Sequence, residues 1–143
     1  MRVLGLDIGD RRIGVALSDA LGLTAQRLMV LERRSHAIDL EAIRTLIATH
    51  HVERVIVGLP LTMRGARGVQ AKKVAAFIES LRRSVAVPVQ PLDERLTTVQ
   101  GQRALSAMNT SPRKRKQLID QIAAQLILQH FLDMQRDPAT PAA

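Results

Sequence analysis

Apolar residues come in short runs at the start of the chain. Residues 2–8 and 13–17 are two such runs, split by the polar tetrad "GDRR", and this spacing predicts strands over Arg2 to Ile8 and Ile13 to Leu17 joined as a hairpin. A third strand is expected over Leu28 to Leu31. Past Ser35, a candidate N-cap with Asp39 and Glu41 close behind, the period lengthens: Leu40, Ile43, Leu46 and Ile47 recur at helical spacing to about His51. "RVIVGLP" is then a β-branched run closed by glycine and proline, as in a strand buried on both faces. Reached through a helix, it should lie parallel to the first strand. After the loop "LTMRGARG", Val74, Phe77, Ile78 and Leu81 mark a second helix, and "VPVQPLDER" a short strand whose proline suits an outer edge. Leu96 to Met108 reads as weakly helical, and "NTSPRKRKQ" as a mobile loop. A largely apolar helix follows from about Gln117 to Met134, and "RDPATPAA" reads as a disordered tail. The organisation expected is one domain over residues 1–135 with a tail over 136–143, and no internal repeat.

Composition narrows what that domain can do. With 46% hydrophobic residues but two phenylalanines and no tyrosine or tryptophan, the core must be aliphatic, and aromatic platforms for stacking bases are nearly excluded. The net charge of +8 favours polyanions, with nucleic acid as the leading partner class. Cysteine is absent and the four histidines have no zinc-like spacing, so any metal must be held by oxygen. No apolar stretch approaches the roughly 20 residues of a membrane span and no leader pattern opens the sequence, so a cytoplasmic protein is expected.

Three acids stand out against this background. Asp7 lies inside an apolar strand, where a carboxylate costs several kcal/mol unless paired or bound to a cation. A salt bridge to Arg11 or Arg12 is one way to satisfy it. Glu94 and Asp93 stand where the last strand ends, and alternation along an extended backbone should point them opposite ways, so that one can meet Asp7 while the other bridges Arg95. Asp120 shares a helix face with Ala123, Ala124 and Ile127, a surface small enough for close approach to a sheet, although Lys116 could pair with it one turn earlier. Three carboxylates from distant elements, without sulfur or imidazole, suit Mg²⁺ or Mn²⁺. Two such ions about 4 Å apart would activate water and stabilise the leaving oxygen of a phosphodiester.

The segments "LGLDIGDRRIGVALSD", "VIVGLPLTMRGARG", "PLDERLTT" and "IDQIAAQLIL" together resemble, in order and spacing, the four motifs of the YqgF (RuvX) family, bacterial members of the RNase H-like nuclease superfamily. The resemblance covers nearly the whole chain. It implies an α/β, RNase H-like fold with a central mixed five-stranded sheet flanked by helices on both faces. It also implies catalytic acids at Asp7, Glu94 and Asp120. The family is described either as Holliday junction resolvases or as nucleases that trim the 5′ end of pre-16S rRNA. Relatives often carry other polar residues at Asp10, Arg11, Thr62 and Arg64, and the second loop is unusually basic here, which bears on substrate preference.

A phosphate-rich ligand also fits the basic residues. Gly65 and Gly68 let backbone approach an anion that Arg64 and Arg67 would neutralise, and Lys72 and Lys73 extend the same surface. Arg11 and Arg12 in the hairpin turn, and the run Arg113, Lys114, Arg115 and Lys116 ahead of Asp120, complete the candidate contacts to a nucleic-acid backbone. Each could instead be a solvated charge. Thr97 and Thr98 could bind phosphate or cap a helix, and His50 and His51 are expected to meet the carbonyls ending the first helix. The reading that results is a divalent-metal-dependent nuclease of structured RNA or branched DNA, monomeric or homodimeric. A non-cleaving nucleic-acid-binding module is the alternative. A sugar-kinase-like ATPase, which "DIGDRRIGVALSD" also suggests, would need two such domains.

Overall fold

The computed structural model describes residues 1–61, 64–65, 67–96 and 112–136, the last helix with side chains from 118. Strands β1 (Arg2–Ile8), β2 (Arg12–Ser18), β3 (Ala25–Glu32), β4 (Val52–Leu59) and β5 (Val89–Asp93) form one sheet in the order β3-β2-β1-β4-β5. The first three pair antiparallel, whereas β1, β4 and β5 run parallel. Helices α1 (His36–Thr49) and α2 (Val69–Ser84) supply the crossovers, a 3-10 turn (Glu94–Leu96) follows β5, and α3 (Pro112–Arg136) comes last.

Strand alternation divides the core in two. Leu4, Leu6 and Ile8 of β1, Ile13, Val15 and Leu17 of β2, and Val55, Val57 and Leu59 of β4 face one way. They pack with Ile43 of α1 and Val74, Phe77, Ile78 and Leu81 of α2. Val3, Ala16 and Ile56 face the other way, where Ala123, Ala124, Ile127, Leu128, Phe131 and Leu132 of α3 cover them. The central strands are therefore buried on both faces, which is why "RVIVGLP" shows no alternation.

Local signals fix the helix ends. Ser35 caps α1, its hydroxyl accepting from the Ile38 amide at 3.1 Å. His50 closes α1 with its amide on the Leu46 carbonyl, and His51 follows at φ 53°, a left-handed position where glycine is usual.

Three boundaries differ from the sequence reading. β3 spans eight residues instead of the four from Leu28 to Leu31. It is an edge strand whose Gln26 and Arg27 are solvated and so carry no apolar signal. β2 begins at Arg12 and ends at Ser18. The last helix begins at Pro112, not near Gln117, so Arg113, Lys114, Arg115 and Lys116 belong to its first turns and not to a loop. Proline at the first helical position lacks only an N–H that would have no intrahelical partner there, so it starts this helix instead of breaking it. Of the segment read as weakly helical, Leu96 closes the 3-10 turn and 97–108 lie outside the described residues, as do Thr97, Thr98 and the tail beyond Arg136.

Candidate active site

Asp7 is the next-to-last residue of β1 and only 6% exposed. Sheet register defines its neighbours on the α3 face: directly across on β2 is Gly14, and on β4, one residue beyond the Leu6–Val57 pair, is Gly58. Neither neighbour has a side chain, so the sheet is open on both flanks of the carboxylate; the backbone of Asp120 closes one opening, and Ile127 with Glu94 beside it closes the other. A Cβ on Gly14 would run into the Asp120 carbonyl, 2.6 Å from its carbon and 3.3 Å from the Asp120 Cα. One on Gly58 would lie 3.1 Å from the Glu94 Cγ. Gly5, two residues before Asp7, is likewise covered, by Leu128 and the Ala124 carbonyl. Helix α3 thus lies directly on a bed of glycines. Asp120 extends its buried stripe of Ala123, Ala124 and Ile127 by one turn, as the helical spacing predicts.

Glu94 reaches this face because the chain turns sharply after β5. Asp93 accepts from the Arg95 amide at 2.9 Å and from its guanidinium at 2.6 Å, which fastens the turn, while Glu94 is buried at 7% exposure. The two acids therefore part as expected. The Arg95 hydrogen bonds hold the Asp93 carboxyl below its usual range. Arg95 in turn lies against Gly65, whose positive φ of 82° turns the loop after β4 towards it. Asp19 has a separate role in the β2–β3 turn, accepting from the Leu23 and Thr24 amides, which lower its pKa.

The turn after Asp7 is held from the other face. Arg33 donates to the Gly9 carbonyl at 2.9 Å and to buried Asp39 at 3.2 Å, with its guanidinium 5.2 Å from the Phe77 ring centre. Sequence reading missed this brace, because Gly9 and Phe77 are distant from Arg33 in the chain and Asp39 was read only as an acid near the start of α1.

Of the basic candidates, Arg12 donates its Nε–H to Asp120 at 3.0 Å, both side chains being 20% exposed. Arg11, Arg64, Arg67 and Lys72 are exposed, and Lys73 is exposed with its ammonium 3.5 Å from Asp10. Arg113 to Lys116 lie on the α3 backbone just before Asp120, their side chains outside the described residues. Among the described residues, no three or more histidines and acids stand close enough together to hold a metal ion. None of the described helices is long and apolar enough to cross a membrane.

Residues 1–134 match the RuvX family, described as Holliday junction resolvase. A relative in Halothermothrix orenii, provisionally named a pre-16S rRNA nuclease, is 49% identical over 94% of this chain and 96% of its own. One of the same name in Moorella thermoacetica is 50% identical over 93% and 95%. In fold, the chain is similar to RuvC of T. thermophilus solved with a Holliday junction substrate, at TM-score 0.61 and 17% identity over 95% and 96% of the two chains. It also resembles the fowlpox virus resolvase solved with Holliday junction DNA, at TM-score 0.52 and 10% identity over 94% and 99%. These likenesses place the mixed sheet and its helices in the RNase H-like class.

Proposed function

The chain belongs to the RuvX family and is by that membership a hydrolytic endonuclease; we propose that it trims precursor 16S rRNA, using Asp7, Glu94 and Asp120 to hold divalent cations at the scissile phosphodiester. The observation that carries this reading is the pair of side-chain-free positions flanking Asp7, one covered by the backbone of Asp120 and the other by the side chains of Ile127 and Glu94. Three oxygen-donor groups with no thiolate or imidazole among them have the chemistry that Mg²⁺ and Mn²⁺ require. Bound there with substrate, such ions would lower the pKa of an attacking water and stabilise the departing oxygen.

The chain's own residues divide the remaining work. Asp7 is fixed by the rigid centre of the sheet, Glu94 by the Asp93–Arg95 turn, and Asp120 by the packing of α3. The burial of Asp7 and Glu94 limits bulk water there and strengthens each electrostatic contact. Arg11, Arg64, Arg67, Lys72 and Lys73, with the Arg113 to Lys116 run, would grip the phosphate backbone to either side.

The test is cleavage of an RNA spanning the 5′ end of 16S rRNA and of a four-way DNA junction, each with Mg²⁺ and with Mn²⁺. Metal-dependent cutting of the RNA that is lost in Asp7→Asn, with RNA binding retained, supports the reading. Cutting of the junction alone would favour the family's resolvase description, and two symmetric cuts would then call for a dimer. Nucleic-acid binding without cutting under any metal condition would leave only the binding module.

A further inference from the structure

Arg12 and a cation seated beside Asp7 would compete for the same carboxylate, that of Asp120. Arg12 and Asp7 both lie on the α3 face of the sheet, Asp7 directly opposite Gly14 and Arg12 two residues from Gly14 along β2. The Asp120 backbone is seated over Gly14 itself, between them. With that backbone fixed, side-chain torsions alone decide where the Asp120 carboxylate points. It points to Arg12, on a guanidinium N–H at 3.0 Å. At 20% exposure of each partner the contact is too shielded to be dismissed as a screened surface pair.

We propose that Arg12 is a positioning residue acting through Asp120, an exchangeable counter-ion that holds this carboxylate while no divalent cation is bound and gives it up when one binds beside Asp7. The arrangement has two opposed consequences. Without a cation, Arg12 offsets the repulsion among acids gathered on one face, which stabilises the fold. A cation must displace Arg12 before it can use Asp120, which weakens its binding. A simple structural brace would produce only the first effect. The inference rests on the cation-dependent nuclease reading above.

The experiment titrates Mn²⁺ alone into the full chain by calorimetry, with melting temperatures recorded in chelator and at saturating Mn²⁺. Wild type, Arg12→Gln, Arg12→Lys and Asp7→Asn are compared. Arg12→Gln is expected to melt earlier than wild type in chelator, yet to bind Mn²⁺ roughly 5- to 10-fold tighter and to gain more from its addition. Arg12→Lys, which keeps the charge, should restore most of the wild-type affinity. Unchanged or weaker Mn²⁺ binding in Arg12→Gln, while Asp7→Asn abolishes it, overturns the role of Arg12 and leaves the nuclease reading standing. If Arg12→Gln does not fold, Arg12→Met, neutral and of similar length, takes its place: tighter Mn²⁺ binding than wild type supports the proposal, and unchanged or weaker binding overturns it. Absence of Mn²⁺ binding in all four proteins overturns both.

Discussion

Gly14→Ala is the substitution that most directly tests whether the glycine bed positions Asp120. The added Cβ would stand 2.6 Å from the Asp120 carbonyl carbon and closer still to its oxygen, against an optimum near 3.5–4.0 Å between carbon atoms. The shortfall is about 1 Å, and both sides of the clash are backbone, so no side chain can swing away. Overpacking of this kind costs about 1–3 kcal/mol, and the upper half of that range is expected because a whole helix must move. Part is offset by the lower entropy of the unfolded alanine chain, about 0.5–1 kcal/mol. The net loss of roughly 1–2 kcal/mol corresponds to a fall in Tm of about 3–8 °C for a domain of this size. A shift of about 1 Å in Asp120 should lower the cleavage rate by roughly 100-fold, far more than the stability loss would cause at 25 °C. Differential scanning calorimetry and initial rates of RNA cleavage read the two effects. A variant with Tm within about 1 °C and rate within about threefold of wild type would show that α3 is not held by this contact.

Other substitutions probe the remaining supports. Gly58→Ala should displace Glu94 and the Ile127 side chain, lowering activity more than stability because Ile127 can repack while Glu94 has one useful position; parallel melts and rates check it. Asp93 has a depressed pKa in the folded state, so it contributes stability above the ordinary carboxylate pKa near 4 and loses it as pH falls through the folded value. Asp93→Asn should therefore flatten the decline in stability as the pH falls below about 4, measured by denaturant titration at each pH. His51→Gly removes a left-handed non-glycine position and should stabilise by about 0.5–1 kcal/mol in denaturant unfolding, with cleavage unaffected.

Periodicity marked much of this architecture. The hairpin and the buried parallel strand were legible as short apolar runs between turn residues and the crossover helix by its helical period, and Asp7 stood out because a charge interrupts one of those runs. Elements that mix signals were harder to read. Half-exposed β3 has polar residues where it meets water, and Pro112 with its basic run resembles a loop until the proline is seen to occupy a first helical turn. The partner of Arg12 was out of reach for another reason: sequence offered Asp7 nearby or phosphate outside, and the observed acid lies 108 residues away. Nor could Gly14 and Gly58 be singled out, since what distinguishes them is what another part of the chain places above them.

The two faces of the sheet are sealed by unequal means. Helices α1 and α2 share the larger aliphatic layer, whereas among the described residues α3 is the one helix that covers the face carrying Asp7. Partial lifting of that one rod would carry Asp120 away from Asp7 and Glu94 while the strands and the opposite layer stayed intact. Warming should therefore silence the enzyme before it melts the sheet, and the chain can be inert without being unfolded.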